Sequence, residues 1–171
     1  MIVDLLSLTD EPLAFDFKIA SDAIDLETEG VRVIGDANVK GELSKNAAKT
    51  DVRGLIKAPL EVDCTRCLTS VRTKLEVTFD VDFVEKELFP DAKETHLGSS
   101  DLDTDVIEGN ELDLAQVVRE QILLNLPETM LCREDCRGIC SKCGSDLNAG
   151  NCNCREDEID PRWAALKNLK S

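Results

Sequence analysis

The chain has 171 residues, enough for one ordinary domain with its own core and a small appendage. Hydrophobic residues make up 42%, yet aromatics only 4% and tyrosine is absent, so the core must be built mostly from Val, Leu and Ile. The net charge of −15, from 35 acidic against 20 basic residues, argues against a generic nucleic-acid binder with a basic face and favours a basic partner. The start, Met-Ile-Val-Asp-Leu-Leu-Ser-Leu, has neither a positive stretch nor a small-residue cleavage site. No apolar run is long enough to span a bilayer, so the expectation is a cytoplasmic protein with no membrane partner.

Phe15, Phe17 and Ile19 alternate with Asp16 and Lys18 and predict a short half-buried strand; Leu5, Leu6 and Leu8 suggest another strand or the edge of a first one. The next fifty residues carry the clearest pattern. Val31, Val33, Ala37, Val39 and Leu43 fall on one parity, with Arg32, Asp36, Asn38, Lys40 and Glu42 between them. After a polar turn over 44–50 the parity switches to Val52, Gly54, Ile56, Ala58, Leu60 and Val62. A third run sets Val71, Leu75, Val77, Phe79, Val81 and Phe83 against Arg72, Lys74, Glu76, Asp80 and Asp82. Such alternation predicts strands with one buried and one wet face, and the short connections predict an antiparallel meander. Strands of this length twist strongly, so the meander is expected to curl toward a barrel.

Residues 86–110 read as a mobile acidic loop that carries the only histidine, His96, as a solvated residue. A packing helix is predicted at about 113–125, with Asp113 as its cap and Gln116 three residues on, and with Pro127 as its stop. Beyond Cys154, Asp160 and Pro161 predict the start of a short C-terminal helix in which Trp163 and Leu166 share one side. No internal repeat is visible. The fold class is therefore α+β and mainly β, with residues 1–127 as an antiparallel β domain and 128–171 as a cysteine-rich metal-binding tail.

That tail holds six of the eight cysteines, at 132, 136, 140, 143, 152 and 154, while Cys64 and Cys67 form a separate C-x-x-C upstream. Dense thiols interleaved with Gly and small residues have the spacing of a zinc knuckle, and Zn²⁺ takes four such ligands tetrahedrally. The turn between the second and third long strands would carry Cys64 and Cys67, which suits half a zinc site. A redox pair would instead sit at a helix N-terminus. Nearest-neighbour pairing gives Cys140, Cys143, Cys152 and Cys154 as one site. It leaves Cys64, Cys67, Cys132 and Cys136 as a second that ties hairpin to helix end; a single zinc using Cys64 and Cys67 with one later pair stays open. Disulfides are disfavoured in a reducing compartment, and the spacings match neither common ferredoxin run. Each four-thiolate site carries formal charge −2, for which Arg66, Arg133, Arg137, Lys142 and Arg155 supply counter-charge. Zinc with no open position is structural. There is no phosphate-cradling loop, nucleophile elbow or His–thiol pair, so neither an enzyme nor a small-molecule substrate is expected.

The run from Glu111 to Pro127, Glu-Leu-Asp-Leu-Ala-Gln-Val-Val-Arg-Glu-Gln-Ile-Leu-Leu-Asn-Leu-Pro, precedes the Cys132–Cys154 cluster with its internal Cys-Gly-Ser-Asp-Leu-Asn. Together they resemble the YceD family, the large ribosomal RNA subunit accumulation proteins. Cys64-Thr-Arg-Cys67-Leu68 and the closing Asp160-Pro161-Arg162, Leu166-Lys167 and Leu169 fit the same family. The resemblance covers most of the chain from about residue 50, while the N-terminal third is similar only in being strand-like. Some members lack most of these cysteines, so an ion is not essential to what the whole family does. The resemblance implies a role in accumulation of large-subunit ribosomal RNA and offers no catalytic residues. Combined with the acidity, it leads to an adaptor for a basic ribosomal protein or assembly factor. The other reading is direct ribosomal RNA binding through the tail, with Arg133, Arg137, Lys142 and Arg155 as the basic patch. A thiol redox or metal-transfer role is a third.

Overall fold

The alternating runs become two very long strands in a computed structural model, which describes residues 1–9, 11–46, 49–86, 104–154 and 162. Strands β1 (Ile2–Asp4), β2 (Leu13–Ile19), β3 (Val31–Val33), β4 (Ala37–Lys45), β5 (Thr50–Asp63), β6 (Ser70–Glu85), β7 (Thr104–Ile107) and β8 (Glu111–Asp113) precede one helix, α1 (Leu114–Leu124). The main sheet has the order β2-β4-β5-β6-β7, with β3 also pairing β5; β1 and β8 make a separate two-stranded sheet.

Parity decides the register. Val39, Leu43, Val52, Ile56 and Leu60 are all fully buried on one face, and a slip by one residue would turn each of them to water. The other face carries cross-strand ion pairs between residues directly opposite: Asp16 with Lys40, Lys57 with Glu76, Arg53 with Asp80, and Glu61 held between Arg32 and Arg72. Each such pair contributes only a few tenths of a kcal/mol, roughly 0.2–1, but all of them favour the same alignment.

Three sequence expectations need correction. The first long run is two strands, not one: β3 and β4 are separated at Ile34, Gly35 and Asp36, although both pair with β5. The break faces Pro59, which has no N–H to donate and whose carbonyl accepts from Ile34 N at 3.0 Å. The sheet is mixed and open: β7 pairs β6 in parallel, and β2 and β7 lie at opposite ends of the strand order, so no barrel closes. Closure is unnecessary because α1 covers the apolar face, placing Leu114, Val117, Val118 and Ile122 in the same core as β4 and β5. Finally, β7 falls inside the stretch expected as an acidic loop, while residues 87–103, with His96, lie outside the described residues, as does the C-terminal helix expected from Asp160. Leu5 is buried just beyond β1 in a turn, not in a strand of its own.

The helix begins where Asp113 promises. Its carboxylate accepts from Ala115 N at 2.9 Å and also pairs with the N-terminal ammonium of Met1. Gln116 does not complete a reciprocal cap; it donates to Glu120 at 3.0 Å. Among the described residues no helix is long and apolar enough to cross a membrane. From the end of α1 the chain runs to Met130, whose carbonyl accepts from both Thr65 N and Thr65 Oγ1 at the tip of the β5–β6 hairpin. The tail thus meets the sheet at its cysteines.

Candidate metal centres at the hairpin tip

The β5–β6 hairpin closes through Cys64-Thr-Arg-Cys-Leu-Thr69. Cys64 N donates to the Thr69 carbonyl and Leu68 N donates to the Cys64 carbonyl, both at 2.9 Å. The tail segment Cys140-Ser-Lys-Cys-Gly-Ser145 builds the same turn a second time: Cys140 N donates to Ser145 O at 2.9 Å and Gly144 N to Cys140 O at 2.8 Å. Even the side chains repeat, with Cys67 Sγ 3.3 Å from Thr69 Oγ1 and Cys143 Sγ 3.1 Å from Ser145 Oγ. In each turn the residue after the second cysteine is left-handed, at φ 71° for Gly144 and φ 60° for Leu68. A leucine there costs roughly 1–3 kcal/mol that glycine avoids. This short repeat was missed in the sequence because Leu68 stands where glycine normally marks such a turn; the signal that reveals it is Cys, hydroxyl, base, Cys, any residue, hydroxyl.

Each turn receives a second pair of thiols. Cys132 and Cys136 reach the hairpin tip, with Cys67 Sγ 3.5 Å from Cys132 Sγ and Cys64 Sγ 3.7 Å from Cys136 Sγ. Cys152 and Cys154 close on Cys140 and Cys143, and within each set of four the sulfurs lie within 4.8 Å of one another. A tetrahedral ion with bonds of about 2.3 Å has sulfur–sulfur edges of about 3.8 Å, whereas a disulfide holds its sulfurs at about 2.05 Å. The cysteines are all free, and the spacing fits a shared ion. The pairing that follows nearest neighbours in sequence is the one brought together in space. Cys64 and Cys136 are buried, at 0% and 2% exposure, while Cys143 and Cys154 are exposed.

The chain around the first set is held by Arg66. Its guanidinium donates to the Cys136 carbonyl at 2.8 Å, and its own carbonyl accepts from Ile139 N at 3.0 Å. Gly138, at φ 76°, lets this contact form, because a Cβ there would stand 2.9 Å from the Arg66 carbonyl oxygen.

A family model described as large ribosomal RNA subunit accumulation protein YceD matches residues 52–170, which include both sets of thiols. The chain belongs to the YceD family. It is 35% identical over 115 residues to the uncharacterized protein Rv2926c of Mycobacterium tuberculosis, covering 67% of this chain and 53% of that one. It is 24% identical over 169 residues to YlbN of Bacillus subtilis, covering 98% and 94%. A chloroplastic large ribosomal RNA subunit accumulation protein YCED homolog of Arabidopsis thaliana shares 35% over 63 residues, 37% of this chain and 20% of the plant protein. The chain spans about half the length of the mycobacterial relatives it matches. No solved structure matches it.

The thiols of this YceD-family chain are electrostatically unequal. Burial pushes the Cys64 thiol up, but the N–H groups of Cys132, Arg66 and Cys67 outweigh it and hold it down at about 6. The Ser145 hydroxyl and N–H hold Cys143 down at about 6. The Thr69 hydroxyl lowers Cys67, and the N–H groups of Cys143 and Lys142 lower Cys140. In the opposite direction, the Cys67 sulfur and then burial push Cys132 up to about 12, and the Cys143 sulfur with burial does the same for Cys154. Each set therefore holds a ready thiolate beside a thiol that keeps its proton until a cation arrives. Uptake of a divalent cation by both sets at pH 7 would release fewer than four protons per ion, since Cys64 and Cys143 are mostly ionised there. Release should rise as the pH falls through about 6, where those two thiols take up protons that the ion must displace. Calorimetry in two buffers of different ionisation enthalpy measures the count; four protons at pH 7 would mean the turns do not activate their thiols.

The basic residues of the tail have specific partners. Arg133 bonds Asn148 and Asp135, at 2.9 and 3.2 Å, and Arg137 bonds Asn151 at 2.7 Å. Lys142 is exposed in the second turn, and Arg155 lies outside the described residues. A further group, Asp51, Asp80 and Asp82, comes close on the wet face of the sheet, where Arg53 pairs with Asp51 and Asp80 and Lys49 with Asp82.

Proposed function

We propose that this chain is a non-enzymatic factor for accumulation of large-subunit ribosomal RNA and assembly of the large subunit, built around two structural Zn²⁺ ions. Membership of the YceD family carries the ribosomal part of this reading, and the plant relatives bear that role in their names. The two compact sets of four thiols support the zinc part. Cys64, Cys67, Cys132 and Cys136 would hold one ion and Cys140, Cys143, Cys152 and Cys154 the other. With four thiolates and no open position, the first ion would tie the tail to the hairpin, the second would fold the tail on itself, and neither would activate water.

The working surface would then be an acidic one. A net charge of −15 suits an adaptor that holds a basic ribosomal protein or assembly factor until RNA displaces it. Asp105, Glu108, Glu111 and Glu120 line one recess beside β7 and α1, which supports a cationic partner. The tagged protein should therefore capture a basic large-subunit protein or factor at low salt and lose it as salt screens the charges. Capture of no basic ribosomal protein at either salt would remove the adaptor. In the same preparation, binding of ribosomal RNA fragments that is lost on reversing Arg133, Arg137, Lys142 and Arg155 would move the contact to the tail.

A further inference from the structure

We infer that Asn148 couples the two thiol sets, so that an ion in either one raises the metal affinity of the other. The inference rests on the metal reading above and concerns how the sites load. By position Asn148 belongs to the loop between Cys143 and Cys152, whose ends an ion in the second set would fix. By contact its side chain belongs to the first set. Nδ2 donates to Cys136 Sγ at 3.5 Å and to Asp146 Oδ1 at 2.8 Å, and Oδ1 accepts from Arg137 N at 2.8 Å and from the Arg133 guanidinium at 2.9 Å. All the hydrogen-bonding positions of the amide are used. Only one orientation satisfies them, because flipping the amide would set its oxygen against a thiol and a carboxylate and its NH₂ against two donors.

The backbone holds Asn148 in that place. Leu147 N donates to the Gly138 carbonyl at 2.9 Å, Ile139 and Asp146 form an isolated β-bridge, and Asn148 N donates to Asp146 Oδ1 at 2.8 Å. The segment Asp146-Leu147-Asn148 is thus seated on Gly138 and Ile139, the link between Cys136 and Cys140. An N–H donated to a ligating sulfur drains charge from it and fixes its direction, and loss of such outer contacts typically costs 10–100-fold in metal affinity. An ion in the second set closes the loop and presents the donor. An ion in the first set orders residues 133–137 and presents the two donors to Oδ1. Coupling of this kind is reciprocal by thermodynamic necessity.

The test uses the full chain loaded with Zn²⁺ and, in parallel, Co²⁺, with competition by a chromophoric chelator. Wild-type protein should bind two ions that leave in one transition. In Asn148→Ala the first set should weaken about 10–100-fold and the titration should split into two steps. The sulfur-to-cobalt charge-transfer band of the first set should also move to longer wavelength, a change that general loosening would not produce. With Asn148 intact, Cys152→Ser should weaken the first set by the same factor by which Cys132→Ser weakens the second. These two variants decide the matter even if Asn148→Ala does not fold. Two ions bound with unchanged constants in Asn148→Ala, or a first set unweakened by Cys152→Ser and a second set unweakened by Cys132→Ser, would overturn the coupling alone. A wild-type chain that binds no ion would end the metal reading and the coupling together.

Discussion

On the two-zinc proposal, a chelator is expected to release the tail from the hairpin while leaving the sheet folded, and added zinc is expected to reverse this. Between residues 131 and 154 only Cys136 and Gly138 are buried, so the tail has almost no apolar core of its own. Apart from contacts at the sulfurs themselves, its bonds to the hairpin tip among the described residues include Thr65 to Met130, Ile139 to Arg66 and Arg66 to Cys136. Each is worth about 1 kcal/mol net, against apparent binding free energies of about 10–16 kcal/mol for structural zinc in small folds. The sulfurs of Cys64 and Cys136 are 72 positions apart in sequence, so an ion shared between them would also close a long loop. The sheet keeps a separate core in Val39, Leu43, Val52, Ile56, Leu60 and Ile122. Limited proteolysis should therefore cut within 128–154 after chelation and spare β4–β6. Cys64→Ser should lower zinc from two ions to one and expose the same segment, because a buried hydroxyl cannot replace the thiolate. A tail that stays protected in excess chelator would show that something other than an ion holds it.

What the sequence discloses here follows from how local each feature is. The long strands are legible because a buried face imposes alternation residue by residue, and the helix because Asp113 and its apolar spacing are contiguous. The break between β3 and β4 is hidden, since Ile34, Gly35 and Asp36 leave the parity on either side unchanged; its cause, Pro59, lies in another strand. Parallel pairing of β7 with β6 has no local mark at all, and it is what replaced the expected curl toward a barrel. In the tail, spacing pointed to Cys140, Cys143, Cys152 and Cys154 as one set, because neighbours along the chain are the cheapest to bring together, and reached the hairpin set only by elimination, with a single-site alternative open. The repetition of the turn escaped notice through one substitution of Leu for Gly at 68. Asn148 could not be found from sequence, because its role depends on a sulfur belonging to the other set.

Gly41→Ala is expected to destabilise the sheet by about 3 kcal/mol or more, beyond the usual range for one added methyl. Registers place Phe15, Gly41, Gly54 and Phe79 in one row across β2, β4, β5 and β6, on the core face. The two rings lie over the two glycines. A Cβ at Gly41 would stand 2.1 Å from the Arg53 carbonyl oxygen, 2.6 Å from Phe15 Cζ and 2.9 Å from Gly54 Cα. A ring can turn aside, but a carbonyl and a Cα in the paired strand cannot move without opening the β4–β5 ladder. At Gly54 the obstacles are the Lys40 carbonyl oxygen at 2.7 Å and Phe79 ring carbons at 2.8 Å, so Gly54→Ala should cost less than Gly41→Ala but still disrupt the row. Gly150→Ala is the control: nothing lies within 4 Å of a Cβ there, and the change should stay within about 0.5 kcal/mol. Urea unfolding of the zinc-loaded variants separates these cases, because all three keep their eight thiols. Equal midpoints for Gly41→Ala and Gly150→Ala would mean that β4 and β5 can part at this row, and that the aromatic lids, not the close backbone approach, hold the centre of the sheet.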